Sequence, residues 1–220
     1  MIAASAGCDG LAHLCIHTRG MRPPPTDAPD AGRSASAFAQ PVGTALLAAA
    51  QRGEPAALEQ IYRCFERPVY TLALRMCGDR DEAQDILQET MLKVIGGIGG
   101  FRGDNGTPFW GWLRQIAVNE TLQRLRRRRA LEVEAFDALD AIADGAPPPA
   151  AAADAARLSR ALQTLPTSTR SVLWLYHAEG YTHEEIAALM QRSPSFSKSQ
   201  VARGLRRLRT LLGAQAYADA

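Results

Sequence analysis

The sequence predicts an all-α protein of two small helical domains joined by a flexible acidic linker. Apolar residues recur at intervals of three and four in two separate stretches, which is the period of a buried helical face. Between them, residues 130–156 contain six acidic residues, no Lys or Arg and three consecutive prolines, a composition typical of a linker. We therefore divide the chain into a leader (1–43), a first domain (44–129), the linker (130–156), a second domain (157–213) and a tail (214–220).

The leader mixes Gly, Ala, Ser and Pro without a sustained period, so we expect it to be flexible, and Met21 is an alternative start. The leader contains two cysteines and two histidines, but no predicted helix or strand there would hold them in the tetrahedral geometry of a metal site. We therefore expect no metal site in the leader. The four cysteines of the chain show no CxxC or disulfide spacing, which indicates reduced thiols in a cytoplasmic protein. No window is long and apolar enough to span a bilayer, and no signal peptide is evident.

The first domain shows three helical patterns. The first covers Leu58 to Met76, where Pro68 is expected to kink or interrupt the helix. The second places Ala83, Leu87, Met91 and Val94 on one face, and the third begins near Pro108, a residue suited to a first helical turn. Between the second and third patterns, residues 96–106 are too rich in glycine to favour a helix, which predicts a loop.

The second domain carries the pattern of a helix-turn-helix. Thr182 and Glu185 have the spacing of a capping box that opens one helix. Ser193 and Pro194 supply an N-cap and a first helical position for the next, which is expected to run to Gly213. Two helices separated by a turn of about four residues, the second of them basic, are typical of this motif.

Charge is distributed in blocks that favour nucleic-acid binding. Residues 101–129 hold seven arginines against two acids, and residues 192–209 hold five arginines and one lysine with no acid. A single basic run is usually a solvated face, but two such surfaces flanking an acidic segment are better explained by phosphate neutralisation. On the last helix, the positions expected near the DNA groove or backbone are Ser195, Phe196, Lys198, Ser199, Arg203, Arg206 and Arg207.

The chain resembles extracytoplasmic-function RNA polymerase sigma factors over about 130 residues. Residues 58–129 are similar to region 2 of that family, notably at Ala83-Gln84-Asp85-Ile86-Leu87-Gln88-Glu89-Thr90, Phe101-Arg102-Gly103-Asp104 and Trp112-Leu113-Arg114-Gln115-Ile116-Ala117-Val118-Asn119. Residues 158–212 are similar to region 4, notably at Leu162-Gln163-Thr164-Leu165-Pro166, Glu179-Gly180-Tyr181 and Glu184-Glu185-Ile186-Ala187. The motifs occur in the family's order.

The resemblance implies a role for each surface. Asp85, Gln88 and Glu89 match the residues that dock on the β′ clamp helices of core RNA polymerase, and region 4 is expected at the β flap. The loop and the following helix match the segment that opens the promoter −10 element and captures an extruded base. Our candidates for that surface are Arg102, Asn105, Arg114, Asn119, Arg126 and Arg127. The helix-turn-helix is expected to read the −35 element, and an anti-sigma factor is an expected partner.

The sequence departs from the family pattern at two places, and two alternative functions have to be considered. The glycines at 96–100 and the turn at 191–197 differ from the family pattern, so promoter preference cannot be transferred from relatives. An operator-binding regulator would share the basic helix but leave the acids and amides of residues 85–89 unexplained. A hydrolase acting on nucleic acid would need convergent carboxylates or histidines, and none are evident, so we expect no catalysis and no cofactor.

Overall fold

A computed structural model describes residues 36–103, 106–132 and 150–216. These contain helices and turns but no β-strand, which confirms the all-α prediction for the described part of the chain. In order, the helices are α1 (Thr44–Gln51), α2 (Pro55–Cys77), α3 (Arg80–Gly97), a short 3₁₀ turn (Ile98–Gly100), α4 (Phe109–Glu132), α5 (Ala150–Gln163), α6 (Thr167–His177), α7 (His183–Met190) and α8 (Pro194–Ala216).

Helices α1 to α4 pack together as the first domain. Helix α2 has Pro55 in its first turn, and it ends at Gly78, whose φ of 79° suits glycine. Asp79 then caps α3 by accepting a hydrogen bond from the Glu82 backbone at 2.8 Å. The apolar faces meet in a shared core that includes Ile61, Phe65, Val69, Leu72, Met76, Leu87, Met91, Val94, Leu113, Ile116 and Val118.

Two local features of this domain differ from what the sequence predicted. Pro68 does not interrupt α2, which continues through it. Pro68 is buried, and the packing of its neighbours outweighs the one hydrogen bond that proline removes. Helix α3 includes Gly96 and Gly97, and the 3₁₀ turn follows it directly, so the predicted loop starts only at Phe101. Ile98 is buried in the core and stabilises this glycine-rich end.

Helices α5 to α8 form the second domain, with α7 and α8 as the helix-turn-helix. The predicted capping box of α7 is confirmed: Thr182 Oγ1 accepts from the Glu185 backbone at 3.2 Å, and the Glu185 carboxylate accepts from the Thr182 backbone at 2.8 Å. Helix α8 begins at Pro194 as predicted, but it extends past the expected stop at Gly213 to Ala216. Nothing lies within 4 Å of a side chain added at Gly213, and helical conformation is open to glycine as well.

The segments predicted to flank the domains are partly structured. Residues 150–156 were assigned to the linker, yet they form the first turns of α5. Alanine is the strongest helix former, and these residues are nearly all alanine. Phe38 was assigned to the leader, yet its side chain is fully buried in the core. The rest of the predicted leader and linker, residues 1–35 and 133–149, lies outside the described residues.

The two domains are in direct contact. Helix α2 packs against α6 and, less extensively, against α5, while α4 packs against α7. Core residues of the first domain share one apolar cluster with Val172, Leu175, Tyr181 and Ile186 of the second. The sequence pattern did not predict this junction.

Candidate functional site

One candidate surface lies on the outer face of α3. Asp85, Gln88 and Glu89 are all exposed, so the predicted acid-and-amide face points to solvent. Asp85 forms an ion pair with Arg124 of α4. Together these residues line a groove of about 520 Å³ between α3 and α4, whose floor includes the ion pair of Lys93 Nζ with Glu120 Oε1 at 2.6 Å.

The same helix carries two exposed apolar side chains that the sequence analysis missed. Leu92 is 66% exposed and Ile95 is 42% exposed. Leu92 follows Glu89 by three residues and Gln88 by four, and Ile95 follows Leu92 by three, so both extend the same face along α3. The signal was available in the sequence, because Leu92 falls outside the inward pattern of Leu87, Met91 and Val94. A polar face with an apolar end is typical of a protein-docking surface.

A second surface was predicted from the glycine-rich loop. Phe101 packs against Phe109 and Trp112, with ring centroids 5.4 and 5.3 Å away. Gln51 Nε2 also donates to the Phe101 carbonyl at 2.7 Å, which fixes the start of the loop. The exposed side chain of Arg102 folds back to donate to the Gly99 carbonyl at 2.8 Å. Asn105 lies outside the described residues.

Arg114 does not lie on an open surface. Its side chain is only 4% exposed, and its Nη1 donates to the backbone oxygen of Glu179 in the second domain at 2.8 Å. The guanidinium carbon lies 5.3 Å from the ring centre of Trp110 and 4.8 Å from that of Tyr181. Burial raises the pKa of Tyr181 to about 12, so its hydroxyl stays neutral beside this cation.

The remaining residues predicted for this surface lie along α4. Asn119 is half-buried, and its Oδ1 accepts from Gln115 Nε2 at 3.1 Å. Arg126 and Arg127 are exposed. Arg126 Nη1 reaches the Leu189 carbonyl at 3.4 Å, and Arg127 lines the groove beside α3. The basic end of α4 therefore lies between the α3 face and the second domain.

The third surface lies on α8, where Ser195, Lys198, Arg203, Arg206 and Arg207 are exposed. The structure therefore brings the predicted basic groups together on one helix. Phe196 and Ser199 are half-buried, and Phe196 packs against the core. The neighbouring Ser197 is fully buried, and its Oγ lies 3.0 Å from His183 Nδ1, which fixes α8 to α7.

Arg170 of α6 was missed by the sequence analysis. Its side chain is 6% exposed and donates from Nη2 to the Cys77 carbonyl at 2.8 Å and from Nε to the Met76 carbonyl at 3.2 Å. Burial lowers the pKa of this guanidinium. Arg170 Nη1 also donates to the Gln163 carbonyl within its own domain at 3.2 Å. A lone arginine on a predicted helix gives no signal of the contact with α2, because the Met76 and Cys77 carbonyls lie more than ninety residues away.

These domains and surfaces define a protein of the sigma-70 class. Residues 61–131 match the family model of sigma-70 region 2, and residues 155–208 match that of sigma-70 region 4. The chain is 33% identical to the ECF RNA polymerase sigma factor SigM of Mycobacterium tuberculosis, with 76% of this chain and 83% of the relative aligned. It is 35% identical to the RNA polymerase sigma factor CarQ of Myxococcus xanthus, over 73% of this chain and 92% of the relative. The chain therefore belongs to the extracytoplasmic-function family of RNA polymerase sigma factors.

A solved structure supports the same assignment. The model is similar to the sigma factor RpoE of Bartonella quintana, crystallised with the anti-sigma factor NepR, with a TM-score of 0.53 and 25% sequence identity. The match covers 70% of this chain and 96% of that one. The sigma-factor prediction is thus confirmed over the operator-binding alternative, because an operator-binding regulator would have no reason to match region 2.

Two further observations bear on the chemistry of the chain. Sigma factors are not catalysts, and within the described ranges no group of three or more His, Cys, Asp or Glu residues could hold a metal ion. Over those same ranges, no helix has the length and hydropathy needed to cross a membrane.

Proposed function

We propose that this sigma factor binds core RNA polymerase through the outer face of α3. Asp85, Gln88 and Glu89 supply hydrogen-bonding groups, and Leu92 supplies an apolar contact beside them. The observation that carries the proposal is the exposure of this whole face, including a leucine that is 66% exposed. A large apolar side chain next to exposed acids and amides matches the composition of an interface that is covered in a complex.

The basic surfaces complete the proposal. Region 2 binds the −10 element with Arg102, Asn105, Arg114, Asn119, Arg126 and Arg127, and region 4 reads the −35 element with Ser195, Phe196, Lys198, Ser199, Arg203, Arg206 and Arg207. Five of the seven residues on α8 are exposed arginines, a lysine or a serine, which suits contacts with phosphates and base edges. Phe196 is half-buried and packs against the core, so its proposed role is to hold α8 in place more than to contact a base.

We further propose that an anti-sigma factor regulates the chain in the cytoplasm, where core polymerase resides. The relative from Bartonella quintana is a sigma factor crystallised in complex with an anti-sigma factor. The region 4 contact with the β flap of core polymerase is part of the same proposal.

Co-elution with core RNA polymerase tests the α3 face. The Gln88→Ala, Glu89→Ala double variant is expected to lose co-elution on a sizing column, because it removes the central polar contacts of the interface. The matched control is Glu59→Ala, Gln60→Ala, which removes the same residue types from an exposed part of α2. Co-elution of the first variant at the wild-type level, with the protein folded, would contradict the proposed docking face.

Duplex binding tests α8 independently of polymerase docking. Lys198→Ala, Arg203→Ala is expected to weaken binding to a duplex that the wild-type holoenzyme selects from a random library, by about 1–3 kcal/mol for each lost base contact. Arg67→Ala, Arg160→Ala removes the same charge from exposed positions outside both basic stretches and serves as the control. If the α3 and α8 variants weakened polymerase binding and duplex binding equally, the assignment of polymerase docking to α3 and of DNA binding to α8 would be contradicted.

A further inference from the structure

A small pocket lies where the end of α2 and the start of α3 meet α5 and α6. Its volume is about 90 Å³. Pockets that enclose a drug-sized molecule measure roughly 300–1,000 Å³, so this pocket has room for a single small group. Arg75, Arg80 and Arg170 line it together with Ser159, Gln163 and two leucines. None of the described residues that line it is acidic, so the pocket concentrates positive charge.

Arg170 is a buried cation whose hydrogen-bond partners are neutral. Its side chain is 6% exposed, and its four hydrogen bonds all go to the backbone carbonyls of Met76, Cys77 and Gln163. Burial lowers the pKa of Arg170, and the positive charge of Arg128 acts in the same direction. In the described part of the chain, no carboxylate forms an ion pair with Arg170. Buried charges are normally paired, so an anion would supply a counter-charge that the chain itself does not provide there.

Arg170 also has a hydrogen-bond donor left for a ligand in the pocket. A guanidinium carries five N–H groups. The hydrogen bonds to the Met76 and Cys77 carbonyls use those of Nε and Nη2, and the bond to the Gln163 carbonyl uses one of the two on Nη1. The second N–H of Nη1 therefore remains, on the nitrogen that contacts Gln163, a lining residue of the pocket.

The other two arginines approach the pocket from the first domain. Arg75 of α2 donates from Nη1 to Ser159 Oγ of α5, and its guanidinium carbon lies 5.9 Å from the ring centre of Trp174. These contacts hold the Arg75 side chain at the pocket. Arg80 is exposed and is the first residue of α3, so it lines the pocket at its solvent side.

The acidic residues at the start of α3 belong to other contacts. Asp79 accepts from the Glu82 backbone at 2.8 Å as the cap of α3, and the Glu82 carboxylate pairs with Arg128 at 3.2 Å. Asp81 is exposed. None of these three residues lines the pocket, so its positive charge is available to a ligand.

We propose that this pocket binds a phosphate group, either as inorganic phosphate or on a small phosphorylated molecule. The planar donor groups of arginine match the oxygens of a phosphate, so Arg75, Arg80 and Arg170 supply both charge and hydrogen bonds. Ser159 Oγ accepts from Arg75, which leaves the hydroxyl hydrogen for a phosphate oxygen. The pocket is separate from the α3 docking face and from α8, so this inference goes beyond the proposed function and does not depend on it.

Protection from phenylglyoxal, a reagent that modifies arginine, tests the site in the full chain. Inorganic phosphate is expected to slow modification of Arg75 and Arg80 severalfold, relative to sodium chloride at the same ionic strength, which controls for screening. Peptide mass spectrometry measures the rate at each arginine. Unchanged rates at Arg75 and Arg80 would overturn the proposal. Equal protection of Arg203 and Arg206 on α8 would also overturn it, because phosphate would then bind any basic surface.

Titration calorimetry with inorganic phosphate tests the individual residues. Arg80→Ala and Arg75→Gln are each expected to weaken binding by about tenfold, because a hydrogen bond between charged groups contributes about that factor. Arg67→Ala, Arg160→Ala is the matched control, since it removes two exposed arginines that do not line the pocket, and its affinity is expected to equal that of the wild type. Arg80 is exposed, so its replacement leaves the core intact. Wild-type affinity in every pocket variant that folds would overturn the assignment.

A comparison of three ligands identifies the source of the phosphate. Tighter binding of methyl phosphate than of inorganic phosphate, weakened equally by Arg80→Ala, would indicate a phosphorylated small molecule. Tighter binding of inorganic phosphate would indicate the free ion. If only a DNA duplex of random sequence protects Arg75 and Arg80 from phenylglyoxal, these arginines belong to a DNA-binding surface and the proposal is overturned. None of these measurements uses polymerase or a promoter, so their failure is distinguishable from failure of the proposed function.

Discussion

Three buried charged or ionisable side chains, Arg114, Arg170 and Glu179, lie at the junction of the two domains. Arginine is rarely buried without partners, yet Arg114 and Arg170 are each less than a tenth exposed. Each is paired with backbone carbonyls of the opposite domain, which lowers the cost of removing its charge from water. Arginines of this chain therefore differ in environment: Arg114 and Arg170 are buried at the domain junction, whereas Arg203, Arg206 and Arg207 are exposed on α8.

Cys77 provides a prediction at the residue scale. It is 2% exposed, its Sγ donates to the Asp79 carbonyl at 3.3 Å, and burial raises the pKa of its thiol. Because the thiolate is the reactive form, iodoacetamide is expected to modify Cys77 far more slowly than the half-buried Cys64 in the native protein. Mass spectrometry of the alkylated peptides measures both rates, and the difference should disappear in concentrated urea. Equal native rates would contradict the buried position of Cys77.

At the scale of elements, the packing of the helix-turn-helix depends on one close crossing. Helices α6 and α8 meet at Gly204, where an added Cβ would lie 2.5 Å from Leu173 Cδ1 and 2.9 Å from Thr169 Cγ2. A second link at the same crossing is the hydrogen bond from Thr169 Oγ1 to Gln200 Oε1 at 2.5 Å. The crossing sets the position of the basic face of α8, the surface that we propose contacts DNA.

Gly204→Ala is accordingly expected to destabilise the protein by about 1–3 kcal/mol, the usual cost of inserting atoms into a packed interior. Gly213→Ala is the matched control on the same helix, because nothing lies within 4 Å of its added Cβ. That variant is expected to be neutral or more stable by up to about 1 kcal/mol, since alanine favours helix over glycine. Urea unfolding followed by circular dichroism compares the two, and equal free energies of unfolding would contradict the close crossing.

At the scale of the whole molecule, the domain contact surrounds an ionisable group. Glu179 is 5% exposed, and burial raises the pKa of its carboxyl. The Ser36 hydroxyl and the Arg114 guanidinium both face it and act in the opposite direction, and Trp174 also contributes a lowering hydrogen bond. The folded protein therefore binds the Glu179 proton more tightly than the unfolded chain does.

The sign of this pKa shift sets the pH dependence. A carboxyl with a raised folded-state pKa contributes stability at pH values below its ordinary pKa of 4.5, and this contribution is lost as the pH rises through the raised value. The wild-type chain should therefore lose stability relative to Glu179→Gln as the pH rises from 4.5 to neutrality. Urea unfolding of both proteins across that range measures the difference. A difference that stays constant with pH would show that the pKa of Glu179 is not raised on folding.

The sequence by itself determined the helical elements and most of the candidate surfaces. Local signals were sufficient for the capping box at Thr182 and Glu185, for the start of α8 at Pro194 and for the exposed face at Gln88 and Glu89. Capping and helical periodicity act over a few neighbouring residues, so they can be read without knowing the partners of a helix. The ordered motifs of both regions also identified the family.

Only the tertiary structure decided how the two domains meet. The bond of Arg170 to the end of α2 joins residues about ninety positions apart, and Arg114 is covered by a turn sixty-five positions away. Such pairings depend on the docking of two separately folded units, and no spacing along the chain encodes them. The same packing kept α2 continuous through Pro68 and buried Phe38 of the predicted leader, because contacts formed at long range outweighed the local preferences of those residues.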